Sequence, residues 1–533
     1  MFQVTAVDTA PSLQAMEAQT NLFGLSPVAP ETAHRPKLTA AERQRETKVK
    51  PIDRAQLRWI HLDVEALIGL DHPARAIWEL TKKLDLTKFY EPIVSAQGRA
   101  GRAGWDPRLL LSIWLYSYSR GESSARAIAR EMAYEPGLMW LAGMGEVNHD
   151  KLSSFRRNNK EALDELFTQQ LAAMEASGWV DLDQVMHDGT KIKAQAGADS
   201  MRRKPTLEQH LERARQVVKE LGNPEDEASS VKRRAAKERA ARERVEVLEE
   251  AVKQMEQLQA HKKEEEKGKV RVSVTEPDAR VMKHGDGAIA PSYNVQISTD
   301  AKNTVIVGLH LTQCSSDSGS LGDGVDVVEQ NMGRPPAQVV ADGSYTNQAT
   351  IIDMAERNQD FVGSLASRSE RKAAGLKGNG IDTAFGSEFF KILPESKELE
   401  CPAGKRLPYA RQSKKKKNVY DQYQASTGDC QACAHRAKCS PKGTKGRIVN
   451  ILVSEPEEIT AFRDKMQTEA AKAAYKKRGP VAEFPNAWIK EKFGLRKFRL
   501  RGMVKAGTEA LWACLTYNTM QWIRLSKQAA AAA

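Results

Sequence analysis

An α/β fold with a helical entrance is what the hydrophobic pattern of this 533-residue chain predicts. Two observations carry it. Apolar residues recur at helical spacing from Asp71 to Gly178, and the period then shortens to that of strands at Trp179. Beyond a charged stretch, strand patterns alternate with helical ones up to Leu365, the order that builds a sheet layered with helices and at least some parallel pairing.

Each element has a local cause. Residues 1–55 mix Pro, Thr, Gln and charge without sustained period and read as a disordered leader ending in the basic stretch Arg43 to Arg54. Asp106-Pro107 supplies an N-cap and a first-position proline for a helix bearing Leu109, Leu110, Ile113 and Trp114. Ser123-Ser124 can cap a second helix through Ile128 and Met132. Short helices ending at His149 to Arg157 fit either a helix-turn-helix, with Arg156 and Arg157 facing DNA, or a plain bundle with solvated arginines. Leu163, Leu166, Phe167, Leu171 and Met174 share one face of a further helix that Gly178 stops.

The strand pattern at Trp179 to Ala194 gives way to heptad-like spacing at Leu207, Leu211, Val218 and Leu221. Gly222-Asn223-Pro224 breaks that run, and Val245, Leu248, Val252 and Met255 resume it. This predicts a helical hairpin, a local arm rather than a dimer zipper because the heptads are few. Tyr293 to Ser298 and Val305 to Leu311 read as a β-hairpin turning at Asp300 to Asn303. A helix over Gly322 to Asn331, a strand over Gln338 to Ala341, a helix over Asn347 to Arg357 and a strand over Phe361 to Leu365 follow. The implied organisation is a leader (1–55), a helical DNA-binding region (56–178), a core in two pieces (179–200 and 270–367) split by the hairpin (201–269), a Cys-rich insert of little periodicity (368–450), and the last part of the core (451–528).

Lys and Arg total 81 against 69 Asp and Glu, a formal charge of +12 that favours a polyanionic partner such as nucleic acid. Neither a signal peptide nor a membrane-length apolar run is legible, so a cytoplasmic protein is expected. Six cysteines are too few for a disulfide scaffold.

Two apolar runs end alike, Val185-Met186-His187-Asp188-Gly189 and Val339-Val340-Ala341-Asp342-Gly343. Asp-Gly after such a run is also an ordinary hairpin signal, and the shared glycine carries the least information. A later basic segment, however, holds Tyr475, Arg478, Glu483 and Lys490. If Asp188, Asp342 and Glu483 converge, they offer hard oxygen donors for two divalent ions, Mg²⁺ or Mn²⁺, of the kind used in phosphoryl transfer. Glu483 and Lys490 are two helical turns apart and can face one groove where Glu483 holds metal and Lys490 meets phosphate. Pro485 implies that the helix starts near Glu483 or kinks there. His187 reads as a strand residue packed on the opposite face from Asp188.

Taken together, Val-Met-His-Asp188-Gly-Thr-Lys-Ile, Val-Val-Ala-Asp342-Gly-Ser-Tyr and the Tyr475, Arg478, Glu483, Lys490 spacing resemble bacterial insertion-sequence transposases with an Asp-Asp-Glu catalytic core. The resemblance extends to Asp71-His72-Pro73, His149 to Ser153 and Leu500-Arg501-Gly502, over roughly residues 55 to 525. It implies an RNase H-like mixed sheet with Asp188 on the first strand, Asp342 just after the fourth and Glu483 on a following helix. It also implies nicking of terminal inverted repeats, attack of the freed 3′ hydroxyl on target DNA, and a homodimer working on paired ends in association with the nucleoid. Phe484 after the glutamate and the long arm after Asp188 depart from the family pattern. A transposase-derived DNA-binding regulator and a structure-specific nuclease are the rival readings.

Cys401, Cys430, Cys433 and Cys439 fall in the Cys-rich insert. Four thiolates there could close a structural Zn²⁺ site, with His435 able to replace one, or remain unligated. Lys414 to Lys417 would hold a DNA backbone or stay solvated. Cys314 and Cys514 sit in apolar patterns and read as core residues.

Overall fold

The computed structural model describes residues 62–93, 104–221, 231–365, 368–415, 417–443 and 445–532. The leader through residue 55, the Gly222-Asn223-Pro224 break and Lys416 lie outside the described residues. Helices α1 (Pro73–Thr81), α2 (Pro107–Ser119), α3 (Ala125–Glu131), α4 (Pro136–Leu141), α5 (His149–Asn158) and α6 (Lys160–Ala176) form the entrance. Their starts are chemically marked. Asp106 accepts from the Arg108 amide and Ser124 from the Ala127 amide, each satisfying an amide that the first helical turn leaves unpaired. Gly178 follows α6 at φ +71°, a left-handed conformation that suits glycine.

Strands β1 (Gln184–Lys193) and β2 (Met201–Arg202) precede an arm of α7 (Lys204–Leu221) and α8 (Val231–Ala260); β3 (Val272–Ser273) and β4 (Arg280–Lys283) follow. Arg215 pairs with Glu249 at 2.8 Å and Lys204 lies 4.0 Å from Glu256. Contacts that climb one helix while descending the other make the arm antiparallel. Its small core of Leu207, Leu211, Leu248, Ala251 and Met255 is closed by Val272.

The main sheet adds β5 (Ile289–Asp300), β6 (Ile306–Thr312), β7 (Gln338–Ala341) and β8 (Asp360–Gly363). β1 is central, antiparallel to β5 on one side and parallel to β7 on the other, with β8 parallel to β7 beyond it. β5 is long enough to pair in succession with β4 and β6 on its outer edge. Helices α9 (Leu321–Met332) and α10 (Gln348–Glu356) connect the parallel strands, and Asn347 caps α10 through the Ala349 and Thr350 amides. The Cys-rich insert departs from expectation. It holds a five-stranded antiparallel sheet, β9 (Lys391–Leu393), β10 (Glu398–Glu400), β11 (Arg406–Lys415), β12 (Asn418–Gln424) and β13 (Ile448–Ser454). Leu407 is the one buried residue of β11, so the alternation that advertises a strand is missing from the sequence.

Helices α11 (Glu457–Gln467), α12 (Glu469–Arg478), α13 (Phe484–Glu491) and α14 (Met503–Ala532) complete the chain. One core runs from the entrance helices through the sheet to α14, and residues from 62 onward cluster as a single unit. Trp512 of α14 lies among Tyr118, Trp114 and Phe155 with ring centroids 6.1 to 6.3 Å away. Asn518 receives the Ile306 amide at 3.0 Å and donates to the Ile306 carbonyl at 2.8 Å, pairing β6 through a helix side chain.

Two sequence expectations are corrected here. Arg156 does not face DNA: it is 4% exposed, donates to the Ser123 carbonyl at 2.7 Å, lies over the Trp114 ring at 4.8 Å, and has the buried Glu509 3.9 Å away. A guanidinium so enclosed is a core strut, held because burying it unpaired would be costly. Arg157 is exposed. Cys314 is exposed in the loop after β6 rather than buried, whereas Cys514 is buried. Among the described residues no helix is long and apolar enough to cross a membrane.

Because Trp512 is fully buried between the entrance helices, Trp512→Ala should cost about 3–5 kcal/mol. Leu70→Ala, at a position 90% exposed, should change stability by less than about 0.5 kcal/mol. Urea unfolding of the two variants checks the contrast.

Candidate active site

Strand alternation decides which side chains meet. Met186, Val340 and Val362 point to one face of the sheet and are covered by Ala471 and Ala474 of α12 with Val481 and Ala482 just after it. Val339, Ala341 and Phe361 point to the other face, packed with residues of α9, α10 and α11. Asp188 shares parity with Met186, and Asp342 with Val340, so both carboxylates rise on the α12 side. The parallel register pairs His187 with Ala341, which makes the two aspartates the next residues across neighbouring strands. Asp188 is not at a strand end, as its sequence suggested: β1 runs on to Lys193, paired with β5.

Asp188 is mostly buried. Burial raises its carboxyl to about 6, Arg478 opposes that shift, and the nearby charge of Asp342 adds to it. Asn486 of α13 donates from Nδ2 to Asp188 Oδ2 at 2.9 Å. Asp342 accepts from the Ser344 amide at 2.7 Å and from Ser344 Oγ at 2.6 Å.

Tyr475, Arg478, Glu483 and Lys490 lie on one helical run. α12 passes into a π-helical turn over Gly479–Glu483 and then into α13. Pro480 and Pro485 each lack an amide proton there, and the wider turn absorbs the break that Pro485 predicts. Arg478 is half-buried, 6.0 Å from the Tyr475 ring centre and 3.5 Å from Glu483. Glu483 is exposed and turned to that arginine. Lys490 is half-buried, and burial lowers its ammonium pKa, with Arg496 adding to the shift and Asp188 opposing it. Among the described residues no group of three or more His, Cys, Asp or Glu is placed to hold a metal ion as it stands. The structure thus joins Asp188 to Asp342, sets Arg478 and Lys490 about them, and leaves Glu483 on the rim.

Two residues escaped the sequence reading. Asp317, in the loop after β6, accepts from Asn294 at 2.6 Å and Gln296 at 3.0 Å. Ser344 Oγ, already on Asp342, is 3.3 Å from its other oxygen. This explains Gly189, whose value the sequence understated: a Cβ there would come within 2.4 Å of Asp317 Oδ1 and Gln296 Nε2. Asn486 is the second, one helical turn beyond Glu483. Neither stood out, since Ser315-Ser316-Asp317-Ser318 reads as an ordinary polar loop and Asn486 as a helix residue; only the +3 spacing from Glu483 hinted at a shared face. His187 packs as expected, bonded to Ser298 and Gln296 and driven down to about 3 by burial, hence neutral.

In the Cys-rich insert, Cys401, Cys430, Cys433 and Cys439 line one cavity of about 30 Å³ together with His435. The Lys405 amide donates to Cys401 Sγ and the Arg447 amide to Cys430 Sγ, both at 3.3 Å. Burial pushes the Cys439 thiol up, and the other three cysteines add to that shift.

Two comparisons bear on this geometry. Residues 62–158 match a family described as Transposase domain (DUF772), and residues 400–523 match a family described as Transposase DDE domain. The second match contains Glu483, Lys490 and all four clustered cysteines; Asp188 and Asp342 fall outside both. Together they support an insertion-sequence DDE transposase. No curated protein matches the chain.

An aspartate raised in the fold is destabilising once ionised. That penalty is absent below its unfolded pKa of about 4 and fully present above about 6, so the metal-free protein should lose stability as pH rises through this window. Asp188→Asn should melt above wild type at pH 8 and level with it near pH 4. Calorimetry across that range checks this, and a variant melting lower at pH 8 would contradict it.

Proposed function

We propose that this protein binds the terminal inverted repeats of its element, nicks their ends hydrolytically, and joins the freed 3′ hydroxyl to target DNA. The carrying observation is the pairing of Asp188 with Asp342 on neighbouring parallel strands beneath the helix bearing Arg478, Glu483 and Lys490. The strand order β6-β5-β1-β7-β8 with β5 antiparallel supports an RNase H-like core, in which Asp188 belongs to the first strand and Asp342 follows the fourth.

The donors suit a hard divalent cation such as Mg²⁺ or Mn²⁺: carboxylate oxygens on adjacent strands, with Asp188 desolvated and its charge made costlier by Asp342. Asp188, Asp342 and Glu483 would hold two such ions, whose chemistry when bound is to activate the attacking oxygen and stabilise the leaving one. Glu483 joins by turning off Arg478, a movement its exposure permits. Arg478, so released, and Lys490 then bind phosphate oxygens beside Asp188. Tyr475, whose ring centre lies 6.0 Å from Arg478, would pack or stack near a cleaved end. The exposed Arg157, Lys476 and Lys477 add sequence-independent attraction for the duplex. Work on paired ends calls for a homodimer, and double-stranded DNA as partner implies a nucleoid-associated cytoplasmic protein.

Mg²⁺-dependent cleavage of DNA carrying the terminal repeats is the direct assay. Asp188→Asn, Asp342→Asn and Glu483→Gln should each lower it by about a thousandfold or more while leaving DNA binding within about threefold, because each removes transition-state stabilisation rather than ground-state contact. Binding without cleavage by the wild type would point to a regulator. Cleavage without strand joining would point to a nuclease.

The Cys-rich insert we read as a zinc-bound module. Four thiols around a cavity sized for one small body, two of them accepting backbone amides, form a set that an ion would draw together, and zinc would stabilise a module with so small a core. Purified protein should contain about one zinc per chain. Cys430→Ser with Cys433→Ser should lose the metal and melt the insert first, as elemental analysis and limited proteolysis would report.

A further inference from the structure

Asn486 is 7% exposed, and its two amide atoms are treated unequally. Nδ2 donates to Asp188 Oδ2, while Oδ1 is buried without a hydrogen-bond partner. Turning the amide over would set two acceptors face to face, so the carboxylate itself fixes the orientation. Buried carbonyl oxygens are nearly always paired, and an unpaired one held beside a desolvated carboxylate marks a place where a donor arrives from outside the chain. Pro485 and the π turn before it seat this side chain directly over β1, with Ile489 of the same helix anchored in the large core.

We propose that Asn486 is a positioning residue of the carboxylate pair: Nδ2 holds one oxygen of Asp188 in place, and Oδ1 accepts from a water or hydroxyl bound with the divalent ion at Asp188 and Asp342. This rests on the metal-dependent reading of the site given above. A purely structural asparagine behaves differently. It would be missed by the metal-free fold, whereas an asparagine with an unpaired oxygen costs that fold stability and repays it when ligand arrives.

The test uses the full chain freed of Mg²⁺ and Mn²⁺ but keeping any zinc in its insert, with Mn²⁺ alone as probe, read by calorimetric titration and by the rise in Tm on adding Mn²⁺. Asn486→Ala should weaken Mn²⁺ about ten- to a hundredfold. Asn486→Gln, which keeps both an amide donor and an oxygen, should recover part of that affinity. The proposal is overturned if Asn486→Ala leaves Mn²⁺ affinity unchanged, or if Asn486→Gln binds no better than Asn486→Ala. Asp188→Asn separates the two levels of the argument. If wild type binds Mn²⁺ and Asp188→Asn does not, the site reading stands whatever Asn486 does; if neither binds, both readings fail.

Discussion

Burial of the Asp188 carboxylate beside Asp342 is the constraint around which the rest is arranged. Parallel pairing of β1 with β7 sets the two carboxylates side by side, and packing of α12 on the same face removes much of the water that would otherwise screen them. A sheet interior made only of Met186, Val340 and Val362 would be more stable. The fold accepts an ionisable group at its centre and surrounds it with partial remedies: an amide donor from Asn486, a hydroxyl on Asp342 from Ser344, and the cations of Arg478 and Lys490. Those remedies are incomplete, and on the reading proposed above a cation would complete them.

Holding such a centre demands a stiff frame, and the C-terminal helix supplies it. α14 is buried along most of its length, stacked on aromatic rings of α2 and hydrogen-bonded to the edge of β6. The entrance helices are therefore not a loosely tethered module. Arg156, Glu509 and the backbone amides of Arg499 and Leu500 tie that entrance to the segment leaving α13, so the helix carrying Glu483 is braced at both ends. The Glu483 carboxylate, by contrast, is exposed, 3.5 Å from Arg478.

The sequence made a good deal of this legible. Asp106-Pro107, Ser124 and Asn347 announced helix starts because capping is local chemistry, and the strand at Gln338 to Ala341 was bounded correctly because a short apolar run next to Asp-Gly has few alternatives. What was hidden depends on distance in space. Arg156 read as a DNA contact because burial of a guanidinium is decided by Trp114 and Glu509, far away in sequence. Gly189 looked like a turn residue, since its necessity comes from Asp317 and Gln296 on other strands and loops. The sheet of the Cys-rich insert was invisible for the opposite reason: β11, its longest strand, is exposed on both faces over most of its length and carries no alternating signature. Convergence of the two aspartates was foreseeable from their matched apolar runs, although Asp188 lies within β1 rather than at its end, whereas the outward turn of Glu483 onto Arg478 was not.

On the proposed reading, Asp188 and Asp342 hold divalent ions that Glu483 joins, leaving Arg478, when DNA is bound. A crystal structure of the protein with terminal-repeat DNA and Mn²⁺, phased for anomalous scattering, tests it most directly. The predicted result is manganese at Asp188 and Asp342, with the Glu483 carboxylate swung toward it. Manganese bound elsewhere, with the two aspartates empty and Glu483 still paired to Arg478, would contradict it.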